Sequence, residues 1–156
     1  MSANYTDEEL GAIFNLYPTA VKIDRNGVPY DSNGNVITIN ENDVSLSVFR
    51  SNELQRLKNE LIKNLGAGFR SSALGTEYIY KSSVEDQLNI MGAVMDGVDA
   101  QFKCGELING EILYQYRLHT IDQLRQVFND GAEYKKILLL KYDEQKNKIL
   151  LGNRIE

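Results

Sequence analysis

The sequence predicts an α+β fold: a small N-terminal β-meander with a short helix, a linking helix, and a compact domain of two β-hairpins packed with two amphipathic helices. Three observations predict it. Apolar spacing switches between helical and alternating periods along the chain. Asn-Gly pairs stand between β-type runs and supply the positive φ angles of tight turns. Ser- or Thr-led capping boxes recur where helical runs begin. The implied divisions are residues 1–43 for the helix and meander, 44–66 for the linking helix and 67–156 for the C-terminal domain.

In Thr6-Asp7-Glu8-Glu9 the threonine can cap a helix and Glu9 can reach back to the cap. Leu10, Ile13, Phe14 and Tyr17 follow at helical spacing, and Pro18 ends the run. Residues 20–39 change period. The runs Ala20–Asp24, Val28–Tyr30 and Val36–Ile39 are separated by Arg25-Asn26-Gly27 and by Asp31–Asn35, which predicts a β-meander. From about Asn42, or only from Ser51 or Asn52, the pattern is helical. Its stripe is Val44, Val48, Leu54, Leu57, Leu61 and Leu65, with Gly66 placed as a C-terminal cap. Leu54, Leu57 and Leu61 have coiled-coil spacing over a short stretch; the alternative is a helix packed on its own domain.

Gly66-Ala67-Gly68 is a plausible boundary, after which Phe69–Ala73, a Leu74-Gly75 turn and Thr76–Tyr80 predict a hairpin. Ser82-Ser83-Val84-Glu85 is a second capping box, and Val84, Leu88, Met91, Met95, Val98 and Phe102 form the clearest amphipathic stripe in the chain. Glu106–Ile108 and Glu111–Leu118 flank Asn109-Gly110, a strong hairpin signal. On the second strand Ile112, Tyr114, Tyr116 and Leu118 share one face, which the alternation makes the core side; Glu111, Leu113, Gln115, Arg117 and His119 share the other. If this strand pairs with Tyr78 and Tyr80, an alternative is a platform of tyrosine rings. Thr120–Gln123 is a third capping box, opening a helix with Ile121, Leu124, Val127 and Phe128. Beyond Gly131 the helix continues through Tyr142, or else residues 137–143 and 148–151 form a terminal hairpin.

Composition excludes several functions. The 156 residues carry a net charge of −5, spread evenly enough that neither half is a basic patch, so no nucleic-acid partner is expected. The longest apolar run, Ile137–Leu140, is far short of the roughly 20 residues of a membrane span. The acidic N-terminus is unlike a signal peptide, so synthesis in the cytoplasm is expected. Cys104, the one cysteine, can form neither an internal disulfide nor a thiolate zinc site by itself.

No motif carries chemistry. His119 is the only histidine, which removes multi-histidine metal sites and leaves it a role at a strand-to-helix junction. Cys104 is read as a small buried hydrophobe. Asp31–Asn35 departs from a calcium loop, with glycine fourth instead of sixth and Asn42 where a glutamate is needed. Gly66-Ala67-Gly68 lacks the Lys-Ser/Thr and the following helix of a phosphate loop. No catalytic residues, cofactor or metal are expected.

Two segments carry a resemblance. Gly75–Ile90, with its Gln87-x-x-Ile90 helix, and His119-Thr120-Ile121-Asp122-Gln123-Leu124 are together similar to an uncharacterised C-terminal domain of tailed-bacteriophage tail and tail-fibre-region proteins, over residues 53–150. Ala12–Val21 followed by Tyr30–Val36 resembles the opening of many small phage tail-region proteins. The chain lacks the tryptophan often found in that family's central strand, a volume Tyr114 or Tyr116 could fill. The family has no established catalytic residues to carry over. The resemblance implies a non-enzymatic tail-associated structural protein of the fibre or baseplate region. It would dock to other tail proteins, with a possible homo-oligomer, and reside in the virion after synthesis in the host cytoplasm. The alternative is a tail-fibre assembly chaperone absent from the mature particle. Candidate interface residues are Leu54, Leu57, Leu61, Leu65, Tyr78 and Tyr80, with the helix Val84–Phe102 as a further contact element; each also has a core reading.

Overall fold

The structure, a computed structural model, describes residues 5–152. It is mixed α+β, with the order α1 (Asp7–Leu16), β1 (Lys22–Ile23), β2 (Pro29–Tyr30), α2 (Glu41–Gly66), β3 (Phe69–Ser71), β4 (Tyr78–Tyr80), α3 (Val84–Asp96), β5 (Ala100–Ile108), β6 (Glu111–His119) and α4 (Ile121–Leu151). The chain divides into two compact units, one running up to Arg56 and including the segment from Ile149, the other Leu57–Lys148. The division falls inside α2, between Arg56 and Leu57.

In the first unit, Thr6 caps α1 as expected: its Oγ1 accepts from Glu9 N at 3.2 Å, and its own N–H donates to Glu9 Oε2 at 2.8 Å. Ala12 and Ile13 of α1 and Val44 of α2 form a small core, edged by Tyr17, Ile23, Ile39 and Val48. The meander is shorter than expected. Strands β1 and β2 pair, but Val36–Ile39 contributes only a bridge from Val36 to Tyr30. Proline explains the shortfall: Ile37 N donates to Pro29 O at 2.8 Å, while Pro29 has no N–H to return the bond. The Asp31 turn is turn chemistry, as read: Asp31 Oδ1 accepts from the backbone N–H of Asn33 and of Asn35.

Helix α2 is continuous from Glu41, which overturns a start at Ser51 or Asn52. Asn40 provides its cap, with Oδ1 accepting from Asn42 N at 3.0 Å. Gly66 is the last helical residue and not the left-handed cap; Gly68 holds that conformation at φ +88°. A Cβ on Gly68 would lie 2.6 Å from the Tyr80 carbonyl oxygen, so only glycine fits.

The second unit is built on an antiparallel sheet in the order β3-β4-β5-β6. The predicted tight Leu74-Gly75 turn is a longer loop over residues 72–77, closed by Gly75 N donating to Ser72 O at 2.9 Å. The second capping box sits one residue later than expected. Ser83 is the cap, accepting from Asp86 N, while the Ser82 hydroxyl donates to the Leu65 carbonyl. Helix α3 also ends early: Gly97 terminates it in the left-handed conformation at φ 71°, and Phe102 belongs to β5. The stripe had run past its helix because Val98, in the connecting loop, and Phe102, in β5, fall at helical intervals by coincidence.

The hairpin β5–β6 pairs from Ala100↔His119 to Ile108↔Glu111, longer than predicted, across Asn109 (φ 52°) and Gly110 (φ 86°). Thr120 and Gln123 form the third capping box, with reciprocal bonds of 2.8 and 3.3 Å. Helix α4 runs through residues 137–151, so the terminal hairpin does not form.

The core of this unit gathers Phe69, Tyr80, Ile90, Cys104 and Val127. Phe69 stacks on Tyr80 at 5.7 Å, and Gly131 of α4 admits the Phe69 ring. The core face of β5–β6 is the reverse of the one expected. Phe102, Cys104, Arg117 and His119 point inward, while Tyr116 is 70% and Leu118 60% exposed. His119 finds a partner for each ring nitrogen and Arg117 pairs through one terminal nitrogen, while the buried Arg117 Nε has no hydrogen-bond partner.

Candidate functional site

Two features emerge: a closed polar cluster in the core and an open apolar surface. The cluster forms where β4, β5 and β6 lie side by side. His119 is fully buried, with Nδ1 at 2.8 Å from the Arg117 carbonyl oxygen and Nε2 at 2.9 Å from Tyr80 Oη. A carbonyl only accepts, so Nδ1 carries the proton and Nε2 accepts from the Tyr80 hydroxyl. Burial lowers the His119 pKa, opposed by the hydrogen bond to the Arg117 backbone. Arg117 lies over the Tyr78 ring at 4.7 Å and pairs with Glu106 at 3.2 Å.

Cys104, beside Tyr80, is fully buried, and burial raises its thiol pKa. Burial raises the Tyr80 hydroxyl as well. The thiol is thus held in its protonated, non-nucleophilic form, and both nitrogens of the one histidine are occupied. This arrangement ties β4, β5 and β6 together through buried side chains. Among the described residues no group of side chains could hold a metal ion, and no helix is long and apolar enough to cross a membrane.

The open surface begins on α3. Ile90 is its fully buried side chain, while Val84 (79%), Leu88 (56%) and Met95 (78%) stand exposed, with Met91 beside them. The most apolar stripe of the helix therefore faces outward. Next to it lies a groove of about 400 Å³, lined by Leu65 at the end of α2, by Val84, Leu88 and Met91, and by Phe128 and Tyr134 of α4. Gln87 also lines it, and its buried Nε2 has no hydrogen-bond partner. A second, more polar cavity of about 700 Å³ lies between α3 and the open sheet face, bordered by Asp86, Gly92, Lys103 and Tyr116. On that face Lys103 sits over the Tyr116 ring at 5.7 Å and Lys81 over Tyr114 at 5.1 Å.

Of the sequence-predicted interface residues, Leu65 lines the apolar groove beside α3 and the others do not. Leu57 (3% exposed) and Tyr80 are buried, and Leu54, Leu61, Leu65 and Tyr78 are half-buried. Leu57 and Leu61 face Leu138 and Tyr142 of α4 across a small cavity, so that part of the stripe is used within the chain. Of the four tyrosines proposed as a platform, only Tyr114 and Tyr116 are on the open face. The further contact element named from the sequence, the helix beginning at Val84, does supply the exposed Val84, Leu88 and Met95 of this surface.

No family model, no curated protein and no solved structure matches the chain.

Proposed function

We propose that the protein is a non-enzymatic, tail-associated structural component of a bacteriophage, in the fibre or baseplate region, that works by docking onto neighbouring proteins. The observation that carries the docking reading is that the most apolar faces of α3 and β6 are the exposed ones. Monomeric proteins rarely leave large contiguous apolar patches in water, and covering such a patch contributes about 25 cal/mol per Å². The phage setting is supported by the resemblance of residues 75–90 and 119–124 to the tail-protein domain. The occupied nitrogens of His119 and the buried thiol of Cys104 support docking over catalysis.

The test is co-purification of the fibre and baseplate proteins of the same phage with the full chain, wild type against Val84→Glu/Met95→Glu. Both positions are nearly four-fifths exposed, so the double variant should fold. It should lose about tenfold or more in retention of the partner, one carboxylate having been placed in each half of the apolar face. Equal retention by both proteins, or no tail protein retained by either, counts against the reading.

A further inference from the structure

We propose that β6 is a dimerisation edge, along which two copies of the chain pair antiparallel about a twofold axis at Gln115. Strand β6 ends the sheet, and among the described residues no strand pairs with its outer side. Ile108 and Glu111 close a two-residue turn as a hydrogen-bonded pair, so the odd-numbered residues of β6 exchange main-chain bonds with β5. Ile112, Tyr114, Tyr116 and Leu118 therefore turn their N–H and C=O groups to the free edge. Proteins usually protect such an edge with proline, lysine, a bulge or brevity. β6 has no proline, lysine or bulge and spans 9 residues in unbroken register; its one inward-pointing charge, Arg117, is drawn back to Glu106 of β5 at 3.2 Å.

The side chains specify a second copy as the occupant. Read outward from Gln115, the strand Glu111–His119 nearly mirrors itself: Tyr114 answers Tyr116, Ile112 answers Leu118, and acidic Glu111 stands against the end that carries Arg117. Antiparallel pairing about Gln115 sets each Tyr114 opposite the other copy's Tyr116 and each Ile112 opposite Leu118. Aromatic and branched pairs of this kind are the favourable cross-strand neighbours. Glu111 then lies diagonal to Arg117 of the second copy, joining opposite charges at both ends. A twofold interface requires this self-complementarity, since each residue must suit its mirror position. All the edge-facing groups fall on hydrogen-bonded pairs in this register, for roughly eight new main-chain bonds. The two open faces become one apolar surface on a sheet twice as wide. The pairing is a property of the chain and does not depend on the tail reading.

Sedimentation of the full chain tests it. The wild type is expected at twice its 17.7 kDa mass. Tyr116→Pro removes an edge N–H that β5 does not use, and should weaken association by about tenfold or more with an unchanged circular dichroism spectrum. A wild type that stays monomeric over a wide concentration range, or a folded Tyr116→Pro that associates as well as wild type, overturns the proposal. Gln115→Cys gives a readout independent of whether the proline variant folds. In this register residue 115 faces its own counterpart across a non-hydrogen-bonded pair, about 4.5 Å between Cα atoms and within disulfide reach. Leu113→Cys would lie roughly 13 Å from its counterpart along the strand. Mild oxidation should cross-link Gln115→Cys and leave Leu113→Cys single; failure to cross-link the first, or equal cross-linking of both, overturns the register.

Discussion

Two glycine-to-alanine substitutions should change stability in opposite directions although each exchanges the same residues inside a helix. Alanine lowers the free energy of a helix interior by about 1 kcal/mol relative to glycine, chiefly by limiting the unfolded chain. At Gly92 in α3 an added Cβ meets nothing within 4 Å, so Gly92→Ala should realise that gain. At Gly131 in α4 the same Cβ would stand 2.8 Å from Phe69 Cζ and 2.9 Å from Cε1. Phe69 cannot swing aside, because Tyr80 stacks on it at 5.7 Å and Tyr134 lies at 6.4 Å. Overpacking of a filled core costs about 1–3 kcal/mol, which exceeds the helix gain and leaves Gly131→Ala about 1 kcal/mol less stable than wild type. The two variants should then melt about 4–8 °C apart in thermal denaturation. Equal stabilisation at both positions would refute the packing of Phe69 against α4.

The polar cluster yields three further predictions. Tyr80→Phe leaves the buried Nε2 of His119 without its donor and should cost about 1–3 kcal/mol in urea denaturation, with the fold retained. His119 has a folded-state pKa below its unfolded value of about 6.5, so the unfolded chain binds the extra proton; stability should be full above that pH and fall as pH drops through the window beneath it. As the one histidine, it should account for the slope above the carboxylate range, and a His119→Gln variant with the same slope there would contradict the assignment. Cys104, fully buried with a raised thiol pKa, should react with an aromatic disulfide reagent only after unfolding; reaction of the native protein at the rate of a free thiol would place it at the surface instead.

The elements the sequence revealed most clearly are those specified by neighbours in the chain. The Thr6–Glu9 box and the Asn109-Gly110 turn satisfy their own backbone groups, and both stand where the pattern put them. Boundaries that depend on distant contacts were displaced. Gly68, not Gly66, takes the left-handed turn because the Tyr80 carbonyl lies against it, and Pro29 stops the third strand of the meander by lacking a donor.

The surface was inverted for a different reason. Hydrophobic periodicity identifies the most apolar face of an element, and the usual inference is that this face is inside. In β6 the inside face carries Arg117 and His119, made tolerable by Glu106, the Tyr78 ring and the Tyr80 hydroxyl. In α3 the buried side is centred on Ile90, while Val84, Leu88 and Met95 are left in water. An inverted pattern in two adjoining elements is what a chain selected for covering by another protein should show.

The proposed function holds that these open faces serve assembly into a phage tail. If the proposed phage setting is right, peptide mass spectrometry of density-banded particles from the source phage, referenced to the major capsid protein, tests it most directly. The account predicts the chain in purified particles at a fixed, stoichiometric copy number. Its absence from particles, with abundant chain in the infected-cell lysate, would contradict a structural role and favour a tail-fibre assembly chaperone.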